Sequence, residues 1–482
     1  MATITATVTS SCVAKDVGLH VPLLRSDGAV DTTVGTPAHT PSIAPTPRLA
    51  QAQVADAEDQ LMPRSFELYL LAYQFCFMSN YTAVLPTAHR YMLALGGNSW
   101  LAGLMVAVGI SSGLLTLPIA SWMVRRTYKP ALYVLTVLCF VGNGMYALGQ
   151  TMDSPWLLIA GQATKSVMYG SCGNSLSNHA TYACVGKKAR SSSMALWGNV
   201  QFAGMGMGPF FGALLTKISF RIGWLDMDEY TNPGWLFSLV WLAMLAGLSL
   251  APEPPRLFEE PQAIAQGGQA WSATLSAAGD FKISWGLLTV MISTGAVAIW
   301  EASATLVTQH YFGWSVMSCC LFIGMMFLVS MAGGEALRVA AVRLSTHDAS
   351  LTRLGLVGLA LFSLTLYKYL PISAAEGLLL SNQVVYIVAS ALLLTCSNAT
   401  RSYSNAIAMR QASAISRECK DAACVGVSLV LTLGRGAGAF FGMWLATFPG
   451  GFNSAAACIA GLSMLMLMPL AAPAFLKELR SA

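Results

Sequence analysis

The sequence predicts an all-α, polytopic membrane protein with twelve membrane-spanning helices arranged in two halves of six. The first observation is its composition: of 482 residues, 55% are hydrophobic and only 10% are charged, whereas an ordinary soluble domain has about 25% charged residues. The second is that the apolar residues form long blocks of about 20, the length that crosses a bilayer as a helix. A soluble protein of this size would need far more charge to cover its surface, so the lipid bilayer is the expected surrounding.

Twelve blocks meet this length criterion. They lie at 66–86, 99–123, 130–150, 155–183, 190–216, 233–251, 283–311, 315–340, 351–370, 377–400, 421–447 and 453–475. A long connection separates the first six from the last six, so the predicted units are an N-terminal six-helix bundle (64–251), a cytoplasmic linker (252–282) and a C-terminal six-helix bundle (283–476). Residues 1–63 are rich in Ala, Thr, Ser and Pro and are expected to form a disordered cytoplasmic tail, with 477–482 as a short second tail.

The Lys and Arg residues set the expected orientation, because loops rich in positive charge stay on the cytoplasmic side. With the N-terminus in the cytoplasm, the outer loops hold four basic residues, namely Arg90, Lys217, Arg221 and Lys368. The inner loops and the C-terminal tail hold seventeen, namely Arg125, Arg126, Lys129, Lys187, Lys188, Arg190, Arg256, Lys282, Arg338, Arg343, Arg353, Arg401, Arg410, Arg417, Lys420, Lys477 and Arg480. A wrong span count would invert this bias partway along the chain, so the pattern favours twelve spans with both termini in the cytoplasm.

Two basic residues, Lys165 in span 4 and Arg435 in span 11, lie well inside predicted spans, whereas the other basic residues lie at span ends or outside the spans. Counting along each helix at about 1.5 Å per residue places both near the middle of the bilayer. An ionisable group at that depth costs at least about 2.5–3.5 kcal/mol, so it must face a partner or a water-filled cavity. Both are therefore candidate solute-binding residues. The alternative is structural: an ion pair, or hydrogen bonds to backbone carbonyls.

Glu301 is the acidic residue that lies well inside a predicted span, the seventh. A carboxyl group at that depth could load and release a proton, which makes Glu301 a candidate proton-coupling site. It could instead be the counter-ion of Lys165 or Arg435, in a buried ion pair that only holds the two halves together. In span 4, Asn174 lies among small polar residues and could line a solute path or serve helix packing.

Several motifs resemble one branch of the major facilitator superfamily, the branch of the SPX-domain vacuolar phosphate transporters and of the lysosomal protein linked to neuronal ceroid lipofuscinosis. They are NYTAVLPTAHRY (80–91), the stretch 121–149 with Trp122, Arg125, Lys129 and Pro130, YTNPGW (230–235), Glu253-Pro254, HYFGWS (310–315) and TLGRGAG (432–438). The resemblance implies the major facilitator fold of two related six-helix bundles. It also implies that Arg125, Arg126 and Lys129 belong to the gating loop after span 2.

The sequence departs from that branch at positions that affect the solute. Val124 stands where the superfamily signature has an acidic residue, and Leu429 where relatives carry an acid ahead of Arg435. The phosphate-transporting relatives carry several arginines in span 4, whereas this chain has Lys165 as the cation there. An ammonium suits phosphate less well than a bidentate guanidinium does. The 63 residues before span 1 are too few for an SPX domain, so regulation through such a domain is not expected.

The leading functional hypothesis is a secondary active transporter of a small solute, an anion such as phosphate, that works by alternating access with a proton as the expected coupling ion. One alternative is an anion channel of the chloride type in endomembranes, and another is a receptor or scaffold that keeps the fold without transport. No enzyme activity, cofactor, metal or nucleic-acid partner is expected, because no catalytic set, metal spacing or phosphate loop occurs in a suitable context. A monomer in a vacuolar or lysosomal membrane is expected.

Overall fold

The computed structural model describes residues 64–116, 128–167, 187–250, 279–343, 347–365, 383–445, 451–475 and 479. Ala57–Ala482 forms one compact unit. The predicted tail 1–63, all but the last residues of the linker 252–282, and most of the tail 477–482 lie outside the described residues. The candidate residues Asn174, Arg125 and Arg126 lie outside them as well.

The first part of the chain contains helices α1 to α7 and a small hairpin. Their bounds are α1 Arg64–Ala83, α2 Leu85–Ala94, α3 Ser99–Ser111 with a 3₁₀ turn Ser112–Thr116, α4 Tyr128–Leu148, α5 at 155–167, α6 Lys187–Leu215, β1 Phe220–Ile222, β2 Leu225–Met227 and α7 Asn232–Leu250. The second part contains α8 Phe281–Phe312, α9 Val316–Arg343, α10 Asp348–Thr365, α11 Gln383–Ile415, α12 Arg417–Leu445 and α13 Gly451–Ala471.

The helices confirm a membrane protein that crosses the bilayer several times. Within the described part of the chain, six helical segments are long and apolar enough to span: Asn232–Leu250, Phe281–Gln309, Val316–Ala341, Gln383–Ile415, Val425–Trp444 and Ser454–Ala471. Each of the other predicted spans overlaps a described helix that is shorter, more polar or only partly described. The total of twelve spans and the division into halves at 64–251 and 283–476 therefore stay predictions.

The described helices expose many large apolar side chains, for example Leu68, Leu239 and Met468 at 58%, 65% and 67%. The interior holds an apolar core together with polar and charged side chains, among them Asn143 and Gln162. Because lipid is as apolar as leucine, this distribution suits a helix bundle whose outer surface faces hydrocarbon and whose interior holds the polar groups.

Two helix boundaries differ from the sequence prediction. The first predicted span is two helices, because α1 ends at Ala83 and α2 restarts at Leu85 with Pro86 in its first turn. Proline lacks the backbone N–H that a continuous helix needs and clashes with the preceding turn. Helix α11 runs to Ile415 rather than residue 400, although it passes through Arg401. Its extension is stabilised by packing, since Ala408 is buried and lies against Gly286 of α8.

The connection between α6 and α7 is an exception to the all-α prediction. It contains a two-stranded antiparallel hairpin in which Phe220 pairs with Met227, Arg221 with Asp226 and Ile222 with Leu225. Arg221 and Asp226 also form an ion pair of 3.2 Å across the two strands. The strands are only three residues long, too short for hydrophobic alternation to reveal them in the sequence.

Helix pairs within each part of the chain and across the two parts hold the bundle together. In the first part α1 packs along α6 and α4 along α7, and in the second part α8 packs along α11 and α12. The main pairs that join the parts are α6 with α9 and α3 with α12. In the first of these pairs, the Asn199 amide of α6 donates to the Glu335 carboxylate of α9 over 3.3 Å. These contacts bring the candidate charged residues of both parts towards one interior region.

Candidate functional site

A stripe of glycines on α12 positions Arg435. Gly434 lies against the Met291 carbonyl of α8 and Gly438 against the Gly295 carbonyl, so closely that a Cβ atom at either glycine would collide with the backbone. Gly442 continues the stripe against Ile299. Glycines four residues apart on one helix face allow two helices to approach at backbone distance. The close approach of α8 and α12 carries Arg435 to Glu301, which follows one half-turn after Ile299.

Glu301 and Arg435 form a buried ion pair. The Arg435 Nη2 to Glu301 Oε1 distance is 2.5 Å, and each side chain is only 1% exposed. The hydroxyl of Tyr81 on α1 donates to the second carboxylate oxygen, Glu301 Oε2, over 3.5 Å. The Arg435 guanidinium also lies over the Tyr81 ring, 5.1 Å from its centre, and faces the Met205 sulfur of α6 at 3.7 Å. The pair therefore belongs to α8 and α12 but contacts α1 and α6 as well.

Lys165 occupies a separate pocket in the first part of the chain. Gly142 of α4 and Gly161 of α5 approach each other closely enough that a Cβ atom at Gly142 would lie 2.5 Å from the Lys165 backbone nitrogen. The Lys165 ammonium contacts Asn80 Oδ1 at 3.4 Å and lies over the Tyr146 ring, 5.2 Å from its centre. Its side chain is 2% exposed.

The two cations differ in how their charge is balanced. Arg435 has the Glu301 carboxylate, whereas within the described part of the chain Lys165 forms no ion pair and its contacts are with neutral groups. Burying a charge is costly unless it is paired or well hydrogen-bonded. The sequence left open whether Glu301 pairs with Lys165 or with Arg435. In the structure Glu301 is the counter-ion of Arg435.

Asn80 and Tyr81 link the two charged centres. They are consecutive residues on α1; Asn80 contacts the Lys165 ammonium, while Tyr81 contacts both members of the Glu301–Arg435 pair. In the sequence both residues belong to the motif 80–91, and neither is predicted as a site residue. The available signal was the run Ser79 to Thr82, four polar or amphipathic residues in an otherwise apolar helix, all buried in the structure.

Of the remaining predicted site residues, only Lys129 lies in the described residues. It is the second residue of α4 and is partly buried. The structure thus brings together Lys165, Glu301 and Arg435 around α1, while the predicted roles of Lys129, Arg125, Arg126 and Asn174 stay predictions.

Comparison with known proteins decides the family. Residues 70–417 match the model of the Major Facilitator Superfamily, which is more than half of the chain. The chain belongs to the Major Facilitator Superfamily. This membership confirms the resemblance that the motifs indicated, and the family is one of membrane transporters rather than enzymes. The match includes Lys165 and Glu301 and ends before Arg435.

Curated relatives support the predicted branch of the superfamily. An SPX domain-containing membrane protein of Arabidopsis thaliana is 28% identical over 220 residues, which is 45% of this chain and 30% of the relative. A second from the same plant is 29% identical over 194 residues, 39% of this chain and 26% of the relative. The chain thus spans less than a third of the length of these relatives.

Solved structures confirm the major facilitator fold. The xylose transporter XylE from E. coli, in a partially occluded inward-open conformation, superposes with a TM-score of 0.60 and 13% identity over 84% of this chain and 96% of that one. A bacterial homologue of the human lysosomal transporter Spinster gives a TM-score of 0.58 and 15% identity over 85% of this chain and 95% of that one. At such identities the likeness establishes the fold and says nothing of the solute.

Proposed function

We propose that this protein is a secondary active transporter of a small anion, such as phosphate, that works by alternating access. The observation that carries the proposal is the Lys165 ammonium, which is 2% exposed and has neutral contacts in the described part of the chain. A buried cation without a counter-ion is stabilised when an anion binds next to it. Lys165 and Asn80 are the proposed solute contacts, with Asn174 as a further candidate.

The charge balance of the interior supports an anionic solute. Lys165 and Arg435 contribute two positive charges and Glu301 one negative charge. The partly buried Arg401 of α11 adds a further positive charge that acts on Glu301. Arg435 is engaged by Glu301, which leaves Lys165 to recognise the solute. A lysine presents a compact charge rather than a planar fork, so it selects charge and size more than a particular oxyanion geometry.

Glu301 is the proposed proton-coupling residue. Its carboxylate is buried and contacts residues of both parts of the chain, so its protonation state affects contacts between them. We place the protein in a vacuolar or lysosomal membrane as a monomer with both termini in the cytoplasm, and we assign Arg125, Arg126 and Lys129 to a cytoplasmic gating loop. The relatives are membrane proteins by name, and the positive-inside charge bias supports the cytoplasmic termini.

The test is an uptake assay in proteoliposomes with a panel of anions that includes phosphate and chloride. The parent protein is expected to take up phosphate, faster when a proton gradient is imposed, and Lys165→Gln is expected to abolish uptake. Lys217→Gln is the matched control, since Lys217 is an exposed lysine at the end of α6 and loses the same charge.

Other outcomes would favour the other functions. A chloride flux that is unchanged by the proton gradient and by Glu301→Gln would indicate an anion channel. The absence of flux for every anion in the panel would indicate a receptor or scaffold on a transporter fold. Full uptake by Lys165→Gln would show that the buried lysine is structural, which would contradict the proposed site.

A further inference from the structure

One turn of α1 contacts both charged centres of the interior. The Asn80 Oδ1 atom lies 3.4 Å from the Lys165 ammonium, and the next residue, Tyr81, reaches Glu301 Oε2 with its hydroxyl and Arg435 with its ring. Successive helix residues point about 100° apart and rise about 1.5 Å. The same short segment can therefore face α5 with one side chain and the α8–α12 pair with the other.

We propose that Tyr81 is a positioning residue that couples anion binding at Lys165 to protonation of Glu301, which makes the protein an anion–proton symporter. This inference rests on the proposed function, because it assumes that Lys165 binds the transported anion. Tyr81 is the residue that transmits anion binding to the proton site, and the anion and the proton cross the membrane in the same direction.

The first step is the exchange of partners at Lys165. The contact between the ammonium and Asn80 is long, at 3.4 Å, and involves a neutral oxygen. An anion forms a stronger, charge-assisted hydrogen bond with the ammonium and repels the Asn80 carbonyl oxygen. Asn80 is 1% exposed, so its amide has no solvent to rotate into. In the proposed step its displacement shifts this turn of α1.

The second step is the release of Glu301 by Tyr81. In the structure the two carboxylate oxygens have different partners, Arg435 on Oε1 and the Tyr81 hydroxyl on Oε2. A hydrogen bond donated to a carboxylate favours its ionised form. When Tyr81 moves with Asn80, Oε2 loses this donor and takes up a proton from a hydronium ion of the solution to which the site is open, which leaves water. The neutral Glu301 then no longer offsets the positive charges of Arg435 and of Arg401 on α11, while Lys165 holds the anion.

The position of Tyr81 also connects this step to the movement of the two parts of the chain. Tyr81 belongs to α1, whereas its partners belong to α8 and α12, so its contacts cross between the first and second parts. When an anion is bound and Glu301 is protonated, these contacts are lost and the first part of the chain is free to move relative to the second. A symporter must reorient only when both the anion and the proton are bound, and this mechanism meets that condition.

The test compares Tyr81→Phe with the parent in proteoliposomes, with inorganic phosphate as the probe. Two rates are measured: phosphate counterflow at equal pH on both sides, and net phosphate uptake driven by an inward proton gradient. The phenylalanine keeps the ring beneath Arg435 and removes only the hydroxyl. We expect counterflow to stay close to the parent rate, and the acceleration by the gradient to be lost.

Tyr73→Phe is the matched control. Tyr73 is also fully buried on α1, but its hydroxyl accepts a 3.4 Å hydrogen bond from Thr136 on α4, outside the charged centres. This variant is expected to keep both counterflow and the gradient response. Size-exclusion profiles and thermal unfolding of the three proteins, with and without phosphate, separate a coupling defect from a folding defect.

The outcomes distinguish the two proposals. If the parent shows no phosphate flux in either mode, the proposed function fails for phosphate and the coupling role fails with it. If the parent is driven by the gradient and folded Tyr81→Phe is driven equally, the coupling role is wrong while the proposed function stands. If Tyr81→Phe loses counterflow and gradient response together, Tyr81 acts in binding or packing and the coupling role is again wrong.

Discussion

The Glu301–Arg435 pair gives the sharpest prediction about stability. Both side chains are 1% exposed and their charged atoms lie 2.5 Å apart, so solvent does not screen them. Removing one partner of such a pair lowers the free energy of unfolding by about 3–5 kcal/mol, because the remaining charge stays buried without an ion-pair partner. We expect a loss of stability of this size for each single variant, Glu301→Leu and Arg435→Met. The double variant should be about as stable as the parent, since two apolar side chains of similar volume leave no buried charge.

The assay is unfolding in mixed detergent–SDS micelles followed by tryptophan fluorescence, with the two single variants and the double variant in one thermodynamic cycle. The control pair is Asp348 with Arg410, which is equally short at 2.6 Å but has side chains 28% and 49% exposed. Asp348→Asn should cost about 1 kcal/mol or less. The reasoning is refuted if Glu301→Leu costs no more than Asp348→Asn, or if the two single effects simply add.

Three further predictions test individual contacts. Asn80→Asp places a carboxylate beside the Lys165 ammonium, where it competes with the anion. The Kd for phosphate should therefore rise at least about tenfold, which is about 1.4 kcal/mol of binding free energy. Unchanged binding in a filter assay would contradict the proposed solute contact. Gly438→Val forces a side chain into the α8 backbone and should lower stability by about 1–3 kcal/mol in the same unfolding assay, whereas a neutral effect would show that the helices can separate. Trp300→Phe removes the 2.9 Å hydrogen bond that the indole donates to the buried Ser390 hydroxyl, and should cost about 1–3 kcal/mol unless the serine finds another partner.

Much of the candidate site could be predicted from the sequence because ionisable groups are conspicuous in apolar segments. Lys165, Glu301 and Arg435 were identified on that basis alone, and all three are buried in the structure. Which cation pairs with Glu301 could not be predicted, since Arg435 lies 134 residues further along the chain. That choice depends on the glycine stripe of α12 against α8, a three-dimensional contact.

Tyr81 could not be identified from the sequence for a different reason. The polar run 79–82 makes this turn of α1 unusual, but it does not tell which of the 15 tyrosines of the chain lies between two charged centres. The structure selects Tyr81 because adjacent side chains of α1 reach different charges: Asn80 contacts Lys165, and Tyr81 contacts Glu301 and Arg435.

The fold was predictable at the level of class and family, and less so at helix ends. Hydropathy identifies apolar segments but ends a span at the first charge, and therefore missed the extension of α11 through Arg401 to Ile415. Packing of that extension against α8 outweighs the polarity of its sequence. The break at Pro86 and the hairpin at Phe220–Met227 are local backbone features that a window of about 20 residues averages away.

The internal pH of proteoliposomes, followed while phosphate is added outside, tests most directly whether an anion and a proton move together. With the parent protein we expect phosphate entry to acidify the lumen, as reported by an entrapped pH-sensitive dye, beyond the change in protein-free vesicles. Because dihydrogen phosphate also releases a proton of its own, the acidification is compared per phosphate taken up. It should be smaller for Glu301→Gln than for the parent. Equal acidification per phosphate in the two proteins would show that Glu301 carries no proton with the anion.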